Sequence, residues 1–207
     1  MSASKFQTET SWSLILLWTL SVLVSVVSLR FLVAELAIVM PHMMHHAMAR
    51  PLSLYLHIGL APVALALLPV QFSARIRTTR PAVHRWGGRI YAIAILISGT
   101  SGIFLALGTE AGPVAAAGFA GLAVLWLATT ARAVQLAMQR RIALHREWMI
   151  RSAALTLAAV TLRLYVPFGQ MAVGFELAYV AISWLCWVPN LFIAEWFLRR
   201  RSRTQPA

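Results

Sequence analysis

The sequence predicts an all-α protein, a polytopic bundle of six transmembrane helices with both termini in the cytoplasm. Three observations carry this expectation. Of the 207 residues, 60% are apolar and only 12% charged, with a mean hydropathy of +0.74, a balance too apolar for a water-soluble domain. Six stretches are long and apolar enough to cross a hydrocarbon core, which takes about 20 helical residues. The basic residues are split unevenly among the connecting segments. One cysteine, Cys186, excludes an internal disulfide framework and a four-thiolate metal centre.

The six spans are expected at 13–29, 52–72, 90–107, 113–130, 148–168 and 178–198. They leave short loops and a tail, so residues 1–207 form one membrane domain with no room for a soluble catalytic domain. The first span reads as a membrane helix and not as a cleaved signal. Its leading segment MSASKFQTET holds one Lys and one Glu, its apolar run is long, and no A-x-A site follows. Arg75, Arg77, Arg80, Arg85 and Arg89 follow span 2, and Arg132, Arg140, Arg141 and Arg146 follow span 4. Arg199, Arg200, Arg201 and Arg203 follow span 6. With Lys5 these make fourteen on one side, against Arg30 and Arg50 on the other, so the positive-inside rule puts both termini in the cytoplasm. The net charge of +12 is therefore a topology signal and an attraction for anionic headgroups. Split among three loops, it makes no nucleic-acid surface.

Taken in order, the polar residues within this apolar chain need reasons. The loop before span 2, ELAIVMPHMMHHAMARP, is rich in Met and His. If it is helical, His42, His45 and His46 share a face and could bind copper; the alternative is a chance cluster in an interfacial segment. His57, in span 2, either hydrogen-bonds a neighbouring helix or serves as a ligand. In spans 3 and 4, Gly99, Gly102, Gly118 and Gly121 are expected to allow close helix packing, and Trp126 to pack. In span 5, Arg151 and Arg163 either snorkel to opposite faces or mark a functional site. In span 6, Pro189 should kink the helix and free a carbonyl, and Asn190, the only Asn, could answer Arg151 or bind a ligand. Glu195 and Arg199 are four apart and can pair, and Trp184, Trp187 and Trp196 are packing or belt residues.

Two strings echo each other. V-H-R-W-G-G-R enters span 3 with His84, Arg85, Trp86 and Arg89, and L-H-R-E-W-M-I-R enters span 5 with His145, Arg146, Trp148 and Arg151. This faint repeat matches spans 2–3 with spans 4–5 and sets two imidazoles at similar depth on parallel helices. A bis-histidine haem b needs that arrangement, with Arg85, Arg146 or Arg151 placed for the propionates. The bland alternative is ordinary interfacial anchoring. The chain has no Asp, and no Glu near the centre of any span, which disfavours a carboxylate-coupled transporter. Walker, H-E-x-x-H and G-x-S-x-G motifs are also missing, so no catalytic set is identified.

The strings LHIGLAPVALALLPVQF, HRWGGRIYAIAILISG, HREWMIRSAALTLAAVTLRL and WLCWVPNLFIAEW resemble the domain-of-unknown-function 2306 family of predicted bacterial membrane proteins, from span 2 to the end of span 6. The resemblance implies a polytopic protein of the bacterial cytoplasmic membrane and assigns no activity. Its motif positions here are His57, Gln71, His84, Arg85, Trp86 and His145, then Trp148, Met149, Arg151, Arg163, Pro189, Asn190 and Glu195. The Met/His loop lies outside that pattern. A weaker similarity is to di-haem membrane cytochromes of the b type, from which the chain departs on the outer side, where only His57 lies within a span.

Three functions follow as expectations. The first is a haem-binding redox protein exchanging electrons with a quinone or another membrane redox protein, with His84 and His145 on the iron and His57 and Arg163 as outer-side ligand or quinone contacts. The second is a non-catalytic structural, assembly or accessory subunit. The third is a small-molecule or metal permease.

Overall fold

A computed structural model describes residues 3–203, with side chains from 15 to 201. Lys5 and Arg203, counted above for topology, have side chains outside the described set. The described residues are almost wholly helical, without strands. The long helices are α1 (Ala3–Ser28), α5 (Pro51–Phe72), α7 (Pro81–Leu107) and α8 (Gly112–Met138). A broken pair α9 (Ile142–Thr156) and α10 (Ala158–Val173) follows, then a second broken pair α11 (Phe175–Leu185) and α12 (Val188–Arg203). Short pieces connect them: α2 (Arg30–Val33), α3 (Leu36–Val39), a 3-10 turn Pro41–Met43, α4 (Met44–Ala49) and α6 (Ala74–Thr79).

Local chemistry sets these boundaries. Pro51, Pro81 and Pro113 stand in the first turn of α5, α7 and α8, where a missing N–H costs nothing. Ser73 caps α6 by accepting the Ile76 N–H. Gly174, at φ +82°, makes the turn between α10 and α11, a backbone region that side chains rarely enter.

Six helical segments are long and apolar enough to cross a membrane: Ile15–Val33, Pro51–Phe72, Pro81–Leu107, Gly112–Met138, Ile142–Val173 and Phe175–Arg201. Each matches an expected span, but their edges differ. Helix α7 begins nine residues before the expected position 90, and α8 runs eight beyond 130. The apolar run marks the hydrocarbon, whereas the helices continue into the headgroup layer on residues such as Arg85 and Arg89. At about 1.5 Å per residue the 27-residue α7 is about 40 Å long, past a core of about 30 Å.

Helix α5 packs most extensively on α7, α7 on α8, and α8 on both α9 and α11; α1 covers α5 and α10, while α12 covers α9. The core runs along this seam through Leu65 and Leu68, Tyr91 and Ile95, Trp126, Leu155 and Ile182. Large apolar side chains such as Leu96, Phe104, Phe168 and Phe192 are exposed around the outside, the surface a bilayer covers. Small residues let the helices approach: a Cβ on Gly118 would lie 2.4 Å from the Ser183 hydroxyl oxygen and 2.9 Å from its carbonyl. Gly118 therefore fulfils the close-packing expectation between α8 and α11.

The expected kink in span 6 occurs at Cys186–Trp187. The Cys186 carbonyl there accepts from Thr161 Oγ1 and from Asn190 Nδ2, so side chains satisfy a backbone group at the break, as a membrane interior requires.

Candidate functional site

His84 and His145 are each the fourth residue of their helices, α7 and α9. Seven residues further along each helix stand Tyr91 and Ser152, two turns on and on the same face. Tyr91 Oη lies 2.9 Å from Ser152 Oγ. The faces that carry the histidines are therefore turned toward each other, and His84 and His145 stand above that bond by about 10 Å. The two imidazoles are within electrostatic reach of one another, as are Arg77 and Arg85 from His84.

The ring of His145 is fixed. Its Nδ1 lies 2.8 Å from the Ala133 carbonyl of α8, and since a carbonyl only accepts, Nδ1 carries a hydrogen, which leaves Nε2 as the atom that would meet a metal. That is the tautomer and support that a metal-ligating imidazole takes. His84 makes no hydrogen bond through its ring among the described residues. Gln71 of α5 steadies the backbone beside it, donating to the His84 carbonyl at 3.3 Å and accepting from the Gly88 N–H at 3.0 Å. A Cβ at Gly87 would come within 2.8 Å of that amide, so the double glycine of the HRWGGR string makes room for Gln71.

Beneath the histidines the seam is closed by a polar cluster that sequence reasoning missed. Tyr91 Oη also reaches Thr156 Oγ1 at 2.7 Å, Trp126 Nε1 donates to Thr156 at 2.9 Å, and Thr130 and Ser152 hydroxyls lie 2.7 Å apart. All five side chains are buried. The seven-residue offset from each histidine was the available signal.

The arginines divide. Arg85 and Arg146 are exposed at the histidine end. Arg77, which the sequence reading did not single out as a site residue, joins them. Arg151 does not remain free for a ligand: its Nε and Nη2 bind the two carboxylate oxygens of Glu195 at 2.5 and 3.1 Å, and its guanidinium lies over Trp148. Glu195 on α12 thus supplies the partner sought in Asn190. Arg89 stacks over Trp86 in the same way, so the repeated Trp-x-x-Arg becomes a repeated cation–π pair.

Asn190 serves the fold, donating to the Ala154 and Cys186 carbonyls and to Thr161. His57 donates from Nδ1 to the Ser98 carbonyl at 2.8 Å, and Gly102 leaves room for its ring. Arg163 turns back along α10 to the Ala159 carbonyl at 3.1 Å, away from the Val173 end toward which snorkelling would carry it.

The loop histidines do not share one helical face, because residues 41–43 form a 3-10 turn before α4 begins. His42 stacks on Phe175 at 3.6 Å between ring centroids, while His45 lies 3.7 Å from Glu110 and beside His46. Among the described residues no three His, Cys, Asp or Glu side chains are grouped to hold a metal ion. A cavity of about 300 Å³ opens there, lined by His42, His45, Glu110 and Tyr179 among others. Burial, His45 and Arg50 together push the His46 imidazole down to about 4.

Comparison with known proteins gives one match. No curated protein and no solved structure matches the chain. A family model described as "Predicted membrane protein (DUF2306)" matches residues 54–198, which takes in His57, both motif histidines, Arg151 and Glu195, and omits the Met/His loop. With six membrane-length helices and a match over most of its length, the chain belongs to the DUF2306 family of predicted membrane proteins.

Proposed function

We propose that this protein binds one haem b between His84 and His145 and works as a membrane electron carrier. The observation that supports this reading most is that the helix faces carrying His84 and His145 meet through Tyr91 and Ser152, with the His145 ring held through Nδ1 on the Ala133 carbonyl. The donor set fits the group: two imidazoles on separate helices, with Arg77, Arg85 and Arg146 at the same end for the propionates. Arg151 has no part in this because Glu195 holds it. Bound haem would supply one-electron chemistry. The chain's own part is to fix the ligand tautomer through Ala133 and to close the bundle beneath the site with the Tyr91 cluster. On this reading the end with the basic connections faces the cytoplasm of a bacterial cell, with the protein in the cytoplasmic membrane, as the positive-inside rule favours. The electron partner would be a quinone in the bilayer or a second membrane redox protein.

The test is a pyridine haemochrome assay with reduced-minus-oxidised spectra on protein purified in mild detergent from haem-supplemented cells. The reading expects one b-type haem per chain. A folded, monodisperse, colourless protein would overturn it.

A second reading, a structural or accessory subunit, is favoured by how completely Arg151 and Asn190 are bound within the bundle. It expects replacement of Asn190 to lower stability while leaving any haem spectrum unchanged.

A further inference from the structure

Arg163 is a cation within the membrane-length part of α10 that no acid answers. Among the described residues no carboxylate lies within 4 Å of it, and its Nε is buried without a hydrogen-bond partner. Its one hydrogen bond among the described residues goes to the Ala159 carbonyl. A second guanidinium, Arg30 at the start of α2, is within electrostatic reach. The Phe31 ring stands against both, 4.9 Å from the Arg30 carbon and 5.8 Å from the Arg163 carbon. His57 is also near Arg163, but its Nδ1–H is committed to the Ser98 carbonyl, and an imidazole, neutral or protonated, brings no negative charge. Arg151 shows the contrast, since its half-buried charge is met by Glu195.

We propose that Arg163 and Arg30 bind the phosphate of an anionic phospholipid that enters from the bilayer beside α1, α2 and α10. Two guanidinium groups with free donors and no internal acid form the usual receptor for a phosphate oxyanion, and an uncompensated buried charge is costly unless an anion reaches it. The apolar surface next to the pair suits acyl chains: Val26, Val27 and Leu32 on one side and Leu164 and Phe168 on the other are exposed. A bilayer offers phospholipid phosphate as its commonest anion, so the source is at hand. The site lies at the end of the bundle opposite His84 and His145 and is independent of any haem there.

Native mass spectrometry of the full chain, extracted in mild detergent, tests this with phosphatidylglycerol as the probe and inorganic phosphate as the tail-less comparison. The proposal expects a retained phosphatidylglycerol adduct whose affinity falls about tenfold or more in Arg163→Gln, in line with the loss of a charge-assisted contact. Arg30→Gln is the second variant, because Arg30 is exposed and its loss does not threaten folding; it should weaken the adduct as well. Arg85→Gln, at the far end, should leave it unchanged. Equal retention by folded wild type, Arg30→Gln and Arg163→Gln would overturn the proposal, and so would binding of inorganic phosphate with no lipid preference.

Discussion

Tyr91 is the residue on which the account of the bundle interior turns. It is fully buried, and its hydroxyl joins α7 to α9 through Ser152 and Thr156. Tyr91→Phe should cost about 1 kcal/mol, seen as a drop of roughly 2–4 °C in the thermal midpoint, with the haem spectrum retained. Arg151 and Glu195 make a sharper case at the same scale. Glu195→Gln leaves a half-buried guanidinium without its charge partner, and roughly 2–3 kcal/mol of stability should be lost. The double replacement Arg151→Met with Glu195→Leu should recover most of that loss, because the apolar pair leaves no unpaired charge. A double-mutant cycle on thermal stability reads the difference. These partners were only partly legible beforehand. A charge in an apolar run announces that it needs an answer, but Glu195 is 44 positions from Arg151, and only the packing of α12 on α9 brings them together.

The six elements themselves were legible because twenty apolar residues in a row have few physical alternatives. Their ends were not, since a helix does not stop where the hydrocarbon does. The break in span 6 could be read from Pro189, whereas the break at Leu157 has no proline within it and carries no such mark. The loop before α5 shows the limit of periodicity: Pro41 opens a 3-10 turn and rotates His42 away from the face of His45 and His46. That short element carries its own pH prediction. His46 has its pKa held at about 4 by burial, His45 and Arg50, against 6.5 for the free side chain. Between those values the unfolded segment binds more protons than the folded one, so stability is full above pH 6.5 and falls as pH drops toward 4. Hydrogen exchange in residues 44–50, corrected for the intrinsic rate, should show protection decreasing from pH 7 to pH 5. His46→Gln should flatten that dependence.

For the whole molecule, the faint repeat in the sequence corresponds to a structural echo. Both motif histidines are fourth in their helices, and both tryptophans carry an arginine over the ring. The sequence showed that the histidines share an end; it did not show that their faces meet, which follows from the Tyr91–Ser152 bond two turns away. Orientation is a prediction at this scale. In a Cys186→Ala background, a cysteine at Arg80 should label only from the cytoplasmic side and one at Glu110 only from the opposite side; the reverse pattern would turn the bundle over. The most direct test of the central claim compares His84→Ala, His145→Ala and His57→Ala with the wild type by reduced-minus-oxidised spectroscopy. The account predicts a low-spin b-type signal in the wild type that is lost in His84→Ala and in His145→Ala and kept in His57→Ala. A wild-type signal that survives either of the first two replacements in folded protein would contradict it.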